Sequence, residues 1–224
     1  MLNTDNPWLN IPASDYEGHM GSPDVGQLQL LNSLFKTALD ETAPESLAVL
    51  GCTTGNGFEH IDFSHTARVC AIDINAGYLD IARKRFESSA KNIEWRCADI
   101  QSTAMGISEF DLVHGALIFE YVKPEVILPK IATAMKETGV MSVVLQLPGD
   151  DLPPVSKTPY ASLEQLAPLM ILLDRQTFTD LAFRSGLLNA AVRSSAFKAE
   201  RNFSSPLTRN QGDTGGELDP YRHK

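Results

Sequence analysis

Cationic side chains are scarce in this chain of 224 residues. Nineteen lysines and arginines stand against twenty-eight aspartates and glutamates, a formal net charge of -9. An acidic surface repels phosphate backbones, so no nucleic-acid partner is expected. The densest basic cluster, Arg83-Lys84-Arg85, reads as a solvated helix face. Cysteine is scarce too. Cys52, Cys70 and Cys97 form no CxxC pair, and no Cys/His spacing suits zinc, so no metal is expected. They read as reduced thiols of a cytoplasmic protein. Long apolar runs are missing: the most apolar stretch, near Val140–Leu147, is too short to span a membrane. Met1–Asn10 has neither a basic region nor an apolar run, so no signal peptide is expected. The remainder is ordinary for a globular chain, with 43% hydrophobic residues. The length suits one α/β domain.

No internal repeat is visible, so the order of elements carries the argument. Residues 1–21 read as irregular. Ser22-Pro23-Asp24 reads as a helix start, with Val25, Leu28, Leu31, Phe35 and Leu39 following at helical spacing. Leu47–Leu50 is short, apolar and stopped by Gly51, which suits a strand buried on both faces. A helix is expected from Gly57–Phe58. Val69–Ile72 is a second strand, and Asn75 can cap a helix carrying Tyr78, Leu79, Ala82 and Phe86. Ile93–Cys97 and Phe110–Val113 are the third and fourth strands. Pro124–Met135 reads as a helix ended by Gly139 as its C′ residue, and Val140–Leu147 as the fifth strand. Pro148–Tyr160 is a Pro-rich loop. Ser162-Leu163-Glu164-Gln165 fits a capping box, and Asp174–Ser185 reads as a further helix. Ala190–Arg193 and Ala196–Phe203 read as an antiparallel strand pair. Alternating strands and helices imply a mostly parallel sheet covered on both sides.

In such sheets ligands bind beyond the carboxyl ends of the strands. After the first strand comes Gly51-Cys52-Thr53-Thr54-Gly55-Asn56-Gly57. Its G-x-x-x-G-x-G spacing is neither the dinucleotide fingerprint nor a P-loop. It is a close-approach loop for a ligand, or a bare strand-to-helix turn. After the second strand comes Asp73, sixteen positions past Gly57. A carboxylate there can accept both hydroxyls of a ribose, or serve as a helix N-terminal acid. After the third comes Ala98-Asp99-Ile100, an acid and an apolar side chain for an adenine edge and face, or a turn aspartate.

The run Leu50–Gly57, the strand Val69–Asp73, the Ala98-Asp99 turn, the segment Phe110–Leu117 and the stretch Lys136–Val140 resemble the successive motifs of class I S-adenosylmethionine (SAM)-dependent methyltransferases, over about residues 45–150. The C-terminal strand pair resembles the hairpin that separates that fold from dehydrogenases. The resemblance implies a Rossmann-like, doubly wound, mostly parallel seven-stranded sheet with a C-terminal antiparallel pair. Residues 1–44 would form an N-terminal lid segment and helix, 45–203 the SAM-binding domain, 148–175 an acceptor-site insertion, and 204–224 a disordered tail.

Carried over by position, Gly51, Cys52, Thr53, Gly55 and Gly57 would border the methionine and ribose of SAM. Asp73 would hold the ribose hydroxyls, Ile74 and Ile100 would flank the adenine, and Asp99 would meet its amino group. His114, Gly115 and Ala116 would line the transfer cleft, with His114 as the base if one is needed, or as a structural histidine. Glu120 and Tyr121 would line the acceptor pocket. In Asp15–Met20, Tyr16 and His19 are expected to close over the cofactor and substrate as part of a lid. The pattern departs from the family at Val49, where an acid is usual, and at Thr53, where a glycine is usual. Both weaken the hold on the methionine amino group and leave open a catalytically silent binding module. Gly115-Ala116-Leu117 stands where base-amine methylases carry Asn-Pro-Pro-aromatic, which favours a small-molecule acceptor with S-adenosylhomocysteine as the other product.

Overall fold

A computed structural model describes residues 6–101, 106, 108–149, 153–196 and 202–210. Five parallel strands form the sheet's centre: β1 (Ser46–Leu50), β2 (Arg68–Asp73), β3 (Ile93–Cys97), β4 (Phe110–Ala116) and β5 (Met135–Gln146). β6 (Leu187–Ala196) and β7 (Asn202–Asn210) continue it, giving the order β3-β2-β1-β4-β5-β7-β6 with antiparallel ladders at β5–β7 and β7–β6. The strand order reverses between β1 and β4, which opens a crevice at their carboxyl ends.

Alternation along the strands sends side chains to two helical layers. Leu47 and Val49 of β1 face α2 (Gln27–Thr42) and α3 (Ala76–Arg85), beside Phe35, Leu39 and Leu79. Ala48 and Leu50 face α4 (Pro124–Ala134) and α5 (Arg175–Arg184), beside Ile127, Leu128, Ile131 and Phe178. β1 is buried along its whole length, as its unbroken apolar run requires. Asn75 caps α3 by accepting the N–H groups of Gly77 and Tyr78, and Asp174 caps α5 through Thr177 N–H.

Several expected elements are corrected. Residues 13–21 are not irregular: α1 (Ala13–Gly21) is a helix that follows Pro12, whose missing N–H costs nothing at that position. Ser22-Pro23-Asp24 is a turn rather than a helix start, and α2 begins only after Gly26 at φ +56°. The segment after Gly57 is one short 3₁₀ turn, Phe58–His60. Gly139 is no helix C′ residue. α4 ends at Ala134, and Gly139 lies in β5, where a Cβ would come within 2.8 Å of Phe110 O. A register shift between Phe110 and Leu112 absorbs the extra residues of β5. The Ser162 hydroxyl caps nothing; it donates to Asp15 Oδ2 at 2.6 Å, and Ala161–Leu169 is 3₁₀ helix. β7 runs past the expected boundary at 203 to Asn210, and the rest of the expected tail lies outside the described residues. Among the described residues no helix is long and apolar enough to cross a membrane.

Candidate functional site

One cleft opens at the carboxyl ends of β1–β5, with a volume of about 1160 Å³ out to its mouth. Gly51, Thr53, Asp73, Ile74, Asp99 and Ile100 meet there from the ends of three strands. Gly51 holds φ +67°, and a Cβ on it would come within 2.9 Å of Ile118 Cδ1. The positive φ is what favours glycine here, since the Ile118 side chain could shift to admit a Cβ. Thr53 also lies in the left-handed region, φ +47°, at the position where the family has glycine.

Asp73 is the electrostatic centre. Its Oδ2 accepts Thr53 N–H and its Oδ1 accepts Asn75 N–H, both at 2.8 Å. Burial of this side chain pushes its carboxyl up to about 6, against the lowering effect of those amides. The Ile74 amide lowers it as well, and the carboxylate keeps acceptor capacity for a further donor. Ile74, Ala98 and Ile100 supply apolar surface beside it, and Asp99 Oδ1 accepts Gln101 N–H at 2.9 Å. This set fits the adenosine half of SAM: an acid for hydroxyls, flat apolar walls and a second acid at the edge.

The N-terminal helix forms the roof. Tyr16 and His19 line the cleft, as does Trp8 from the turn Pro7–Leu9. The Thr53 hydroxyl lies 3.5 Å from Tyr16 Oη, and burial pushes the Tyr16 phenol up to about 12. Tyr78 Oη donates to Ile11 O at 3.0 Å, and Asn75 Nδ2 to Trp8 O at 2.8 Å. His19 Nδ1 pairs with Thr158 Oγ1 at 2.9 Å, joining the roof to the segment after β5. Gly18 lets the Tyr160 ring cross the helix, since a Cβ there would fall 2.2 Å from Tyr160 Cζ.

Not every expected residue reaches this cleft. His114 does not line it. β4 continues to Ala116, so His114 is an interior strand residue, and the shift at Phe110/Leu112 turns it toward α2. Its ring lies 4.6 Å from that of Phe35, its Nδ1 pairs with Ser142 Oγ at 3.1 Å, and burial lowers it to about 4. Cys52 is buried, and burial pushes its thiol well above the ordinary range. Gly55 and Gly57 back onto Phe86 and Phe35. Gly115 faces Ile118 and does not line this cleft. Tyr121 lines the cleft with Trp8 edge-on at 5.0 Å; Glu120 does not. Glu120 is 2% exposed, its Oε1 accepts Gln146 N–H at 2.6 Å, and its Oε2 has no partner among the described residues. Burial pushes it up to about 7.

Trp8, Gln27 and Gln146 also line the cleft and were missed in the sequence. Gln146 ends β5, so the rule of examining strand ends would have found it. Trp8 and Gln27 arrive from distant chain positions, and no local pattern marks them.

Fold and cleft define an α/β domain of Rossmann-like methyltransferase architecture. Residues 48–139 match the family model described as methyltransferase domain. An uncharacterised methyltransferase-like protein of Schizosaccharomyces pombe is 26% identical over 144 residues, 64% of this chain and 53% of that protein. Malonyl-[acyl-carrier protein] O-methyltransferase of Acetivibrio thermocellus is 29% identical over 119 residues, 52% of this chain and 41% of that protein. The chain thus matches about half the length of these curated relatives. Among solved structures, Haemonchus contortus phosphoethanolamine N-methyltransferase 2, with phosphomonomethylethanolamine and S-adenosylhomocysteine, is similar at TM-score 0.63 and 13% identity, covering 90% of this chain and 61% of its own. The [4+2]-cyclase SpnF is similar at TM-score 0.65 and 12% identity, covering 82% of each. The chain is thus similar to class I SAM-dependent methyltransferases, in its fold and over residues 48–139.

Proposed function

We propose that the protein binds SAM in the strand-end cleft and transfers its methyl group to a small molecule by in-line displacement, in the cytoplasm. The observation that carries the reading is Asp73, a buried carboxylate at the end of β2 with both oxygens turned by backbone amides toward an apolar cleft. In this reading Asp73 holds the ribose hydroxyls, Asp99 the adenine edge, and Ile74 and Ile100 its faces. Gly51 and Thr53 pass under the methionine part. Tyr16 and His19 form the lid, and Tyr121 bounds the acceptor. Residues 1–44 supply lid and first helix, and 148–175 the acceptor wall. The seven-stranded sheet with its antiparallel pair closes the domain.

Bound SAM supplies a methyl group already activated by its sulfonium. The chain's own work is to position the acceptor and exclude water. A base is needed only if the acceptor keeps a proton at the moment of attack. His114 is unsuited to that role, being buried and neutral against Phe35; His19 is the imidazole at the cleft.

A second reading is a silent SAM-binding module. It is favoured by Val49, a buried apolar side chain where the family has an acid, and by Thr53 at the missing glycine. Calorimetric titration with SAM, S-adenosylhomocysteine and NAD tests the cofactor. Tight NAD binding without response to the SAM pair would overturn both readings. Release of S-adenosylhomocysteine with an added acceptor separates the enzyme from the module.

A further inference from the structure

The cleft divides along the sheet. Over β1–β3 lie the two acids Asp73 and Asp99; over β4–β5 lies a second half, between α1, the start of α2 and the segment 153–170. The second half is walled by Met20, Leu31, Leu163, Leu166 and Met170. No lysine or arginine lines the cleft among the described residues.

The polar groups of this half include a locked amide pair. Gln146 is held at both ends of its amide: its Nε2 donates to Pro154 O at 3.0 Å and its Oε1 accepts from Gln27 Nε2 at 3.4 Å. Its backbone N–H is held by Glu120. These partners fix which way the Gln146 amide points, and that in turn fixes Gln27. Gln27, the first residue of α2, is 6% exposed and lines the cleft. Its Nε2 is committed to Gln146, while its Oε1 accepts no hydrogen bond among the described residues. Gln27 lines the cleft, so a ligand that fills this half takes water from that oxygen, and one that supplies a donor offsets the loss.

We infer that the acceptor is an uncharged molecule with an apolar body, which donates an O–H or N–H hydrogen bond to Gln27 Oε1. The inference rests on reading the β1–β3 half as the cofactor seat. A carboxylate or phosphate would be desolvated with no lysine or arginine to meet it, with the His19 imidazole tied to Thr158 and the acids Asp73 and Asp99 in the same cleft, a cost that the sulfonium's single charge has to offset alone. An ammonium would lose its water beside the cofactor's sulfonium, and the Glu120 carboxyl is sealed behind Gln146.

The test uses the full chain saturated with S-adenosylhomocysteine and four probes sharing one ring system: naphthylmethanol, its methyl ether, naphthoate and naphthylmethylammonium. Titration calorimetry reads each affinity. The alcohol is expected to bind about tenfold or more tighter than either ion, and the ether, with no O–H to donate, about fivefold or more weaker than the alcohol. In Gln27→Leu the alcohol is expected to fall to the level of the ether, with S-adenosylhomocysteine binding reporting that the variant is folded. An ion binding as tightly as the alcohol, equal binding of alcohol and ether, an unaffected Gln27→Leu, or binding of none of the four overturns the inference. Failure of S-adenosylhomocysteine to bind instead overturns the cofactor reading. The same four probes titrated against the ligand-free protein still rank the second half of the cleft.

Discussion

The Arg85 guanidinium lies 2.8 Å from Glu17 Oε1, and that same oxygen accepts the Thr54 hydroxyl at 2.5 Å. One carboxylate therefore ties α3, the loop after β1 and the roof helix together. Arg85 is not simply part of a solvated cationic face. Burial raises the Glu17 carboxyl, but the Arg85 and Thr54 hydrogen bonds outweigh it and hold it below the usual glutamate range. The tether is therefore intact at neutral pH and is lost only as pH falls through that lowered value.

Glu17→Gln is expected to change stability little, by about 0.5 kcal/mol, because the pair is partly exposed. Its larger effect falls on the roof. The Kd for SAM is expected to rise about threefold to tenfold, read by calorimetry at low salt, with a smaller ratio at high salt as screening weakens the native tether.

Asp73 gives binding and stability opposite pH slopes. Its folded-state value of about 6 lies above the unfolded value near 3.8, so the fold gains stability as pH falls from above 6 toward 4. Ribose hydroxyls need the ionised acid, so SAM affinity is expected to fall across the upper part of that window. Parallel melting curves and titrations at pH 5 to 8 check both signs. Asp73→Asn is expected to weaken SAM about tenfold to a hundredfold while removing Asp73's share of the stability change in this window and leaving that of Glu120.

The strand ends were legible because a buried parallel strand writes itself as an apolar run stopped by glycine or aspartate. Gly51, Asp73 and Asp99 were found that way. The side on which a residue emerges was not legible at His114. The register shift at Phe110/Leu112 reverses the alternation there, and nothing in Phe110–His114 announces it. α1 was hidden because Gly18 lowers helix propensity locally, while its reason, the Tyr160 ring, sits far along the chain. Gln27 and Gln146 meet only through the fold.

Glu120 is expected to limit stability above neutral pH. Burial raises it to about 7, so its favourable neutral form is fully present below the unfolded value near 4.5 and is lost as pH rises through 7. Glu120→Gln keeps an acceptor for Gln146 N–H and removes the ionisation. The variant's Tm is expected to exceed the parent's at pH 8.5, with the gap narrowing as pH falls through 7 and closing only below about 4.5. A gap that does not change with pH would contradict this.

His114→Ala is expected to cost about 2–4 kcal/mol, since it empties a buried site against Phe35 and strands Ser142. With its imidazole held neutral down to about 4, no inflection of turnover between pH 5 and 8 should depend on it. A denaturant melt and a pH–rate profile of the variant, at a temperature where it is folded, check the two halves of this expectation.

Trp8 stands in the cleft wall, edge-on to Tyr121 at 5.0 Å and to Tyr16 at 6.1 Å. The chain has only one other tryptophan, Trp95, stacked on Phe58 away from the cleft. Replacing Trp95 with phenylalanine would leave a single indole whose emission responds to whatever enters beside it. The protein thus carries its own optical reporter, and a library of unlabelled compounds can be screened against it before any acceptor is known.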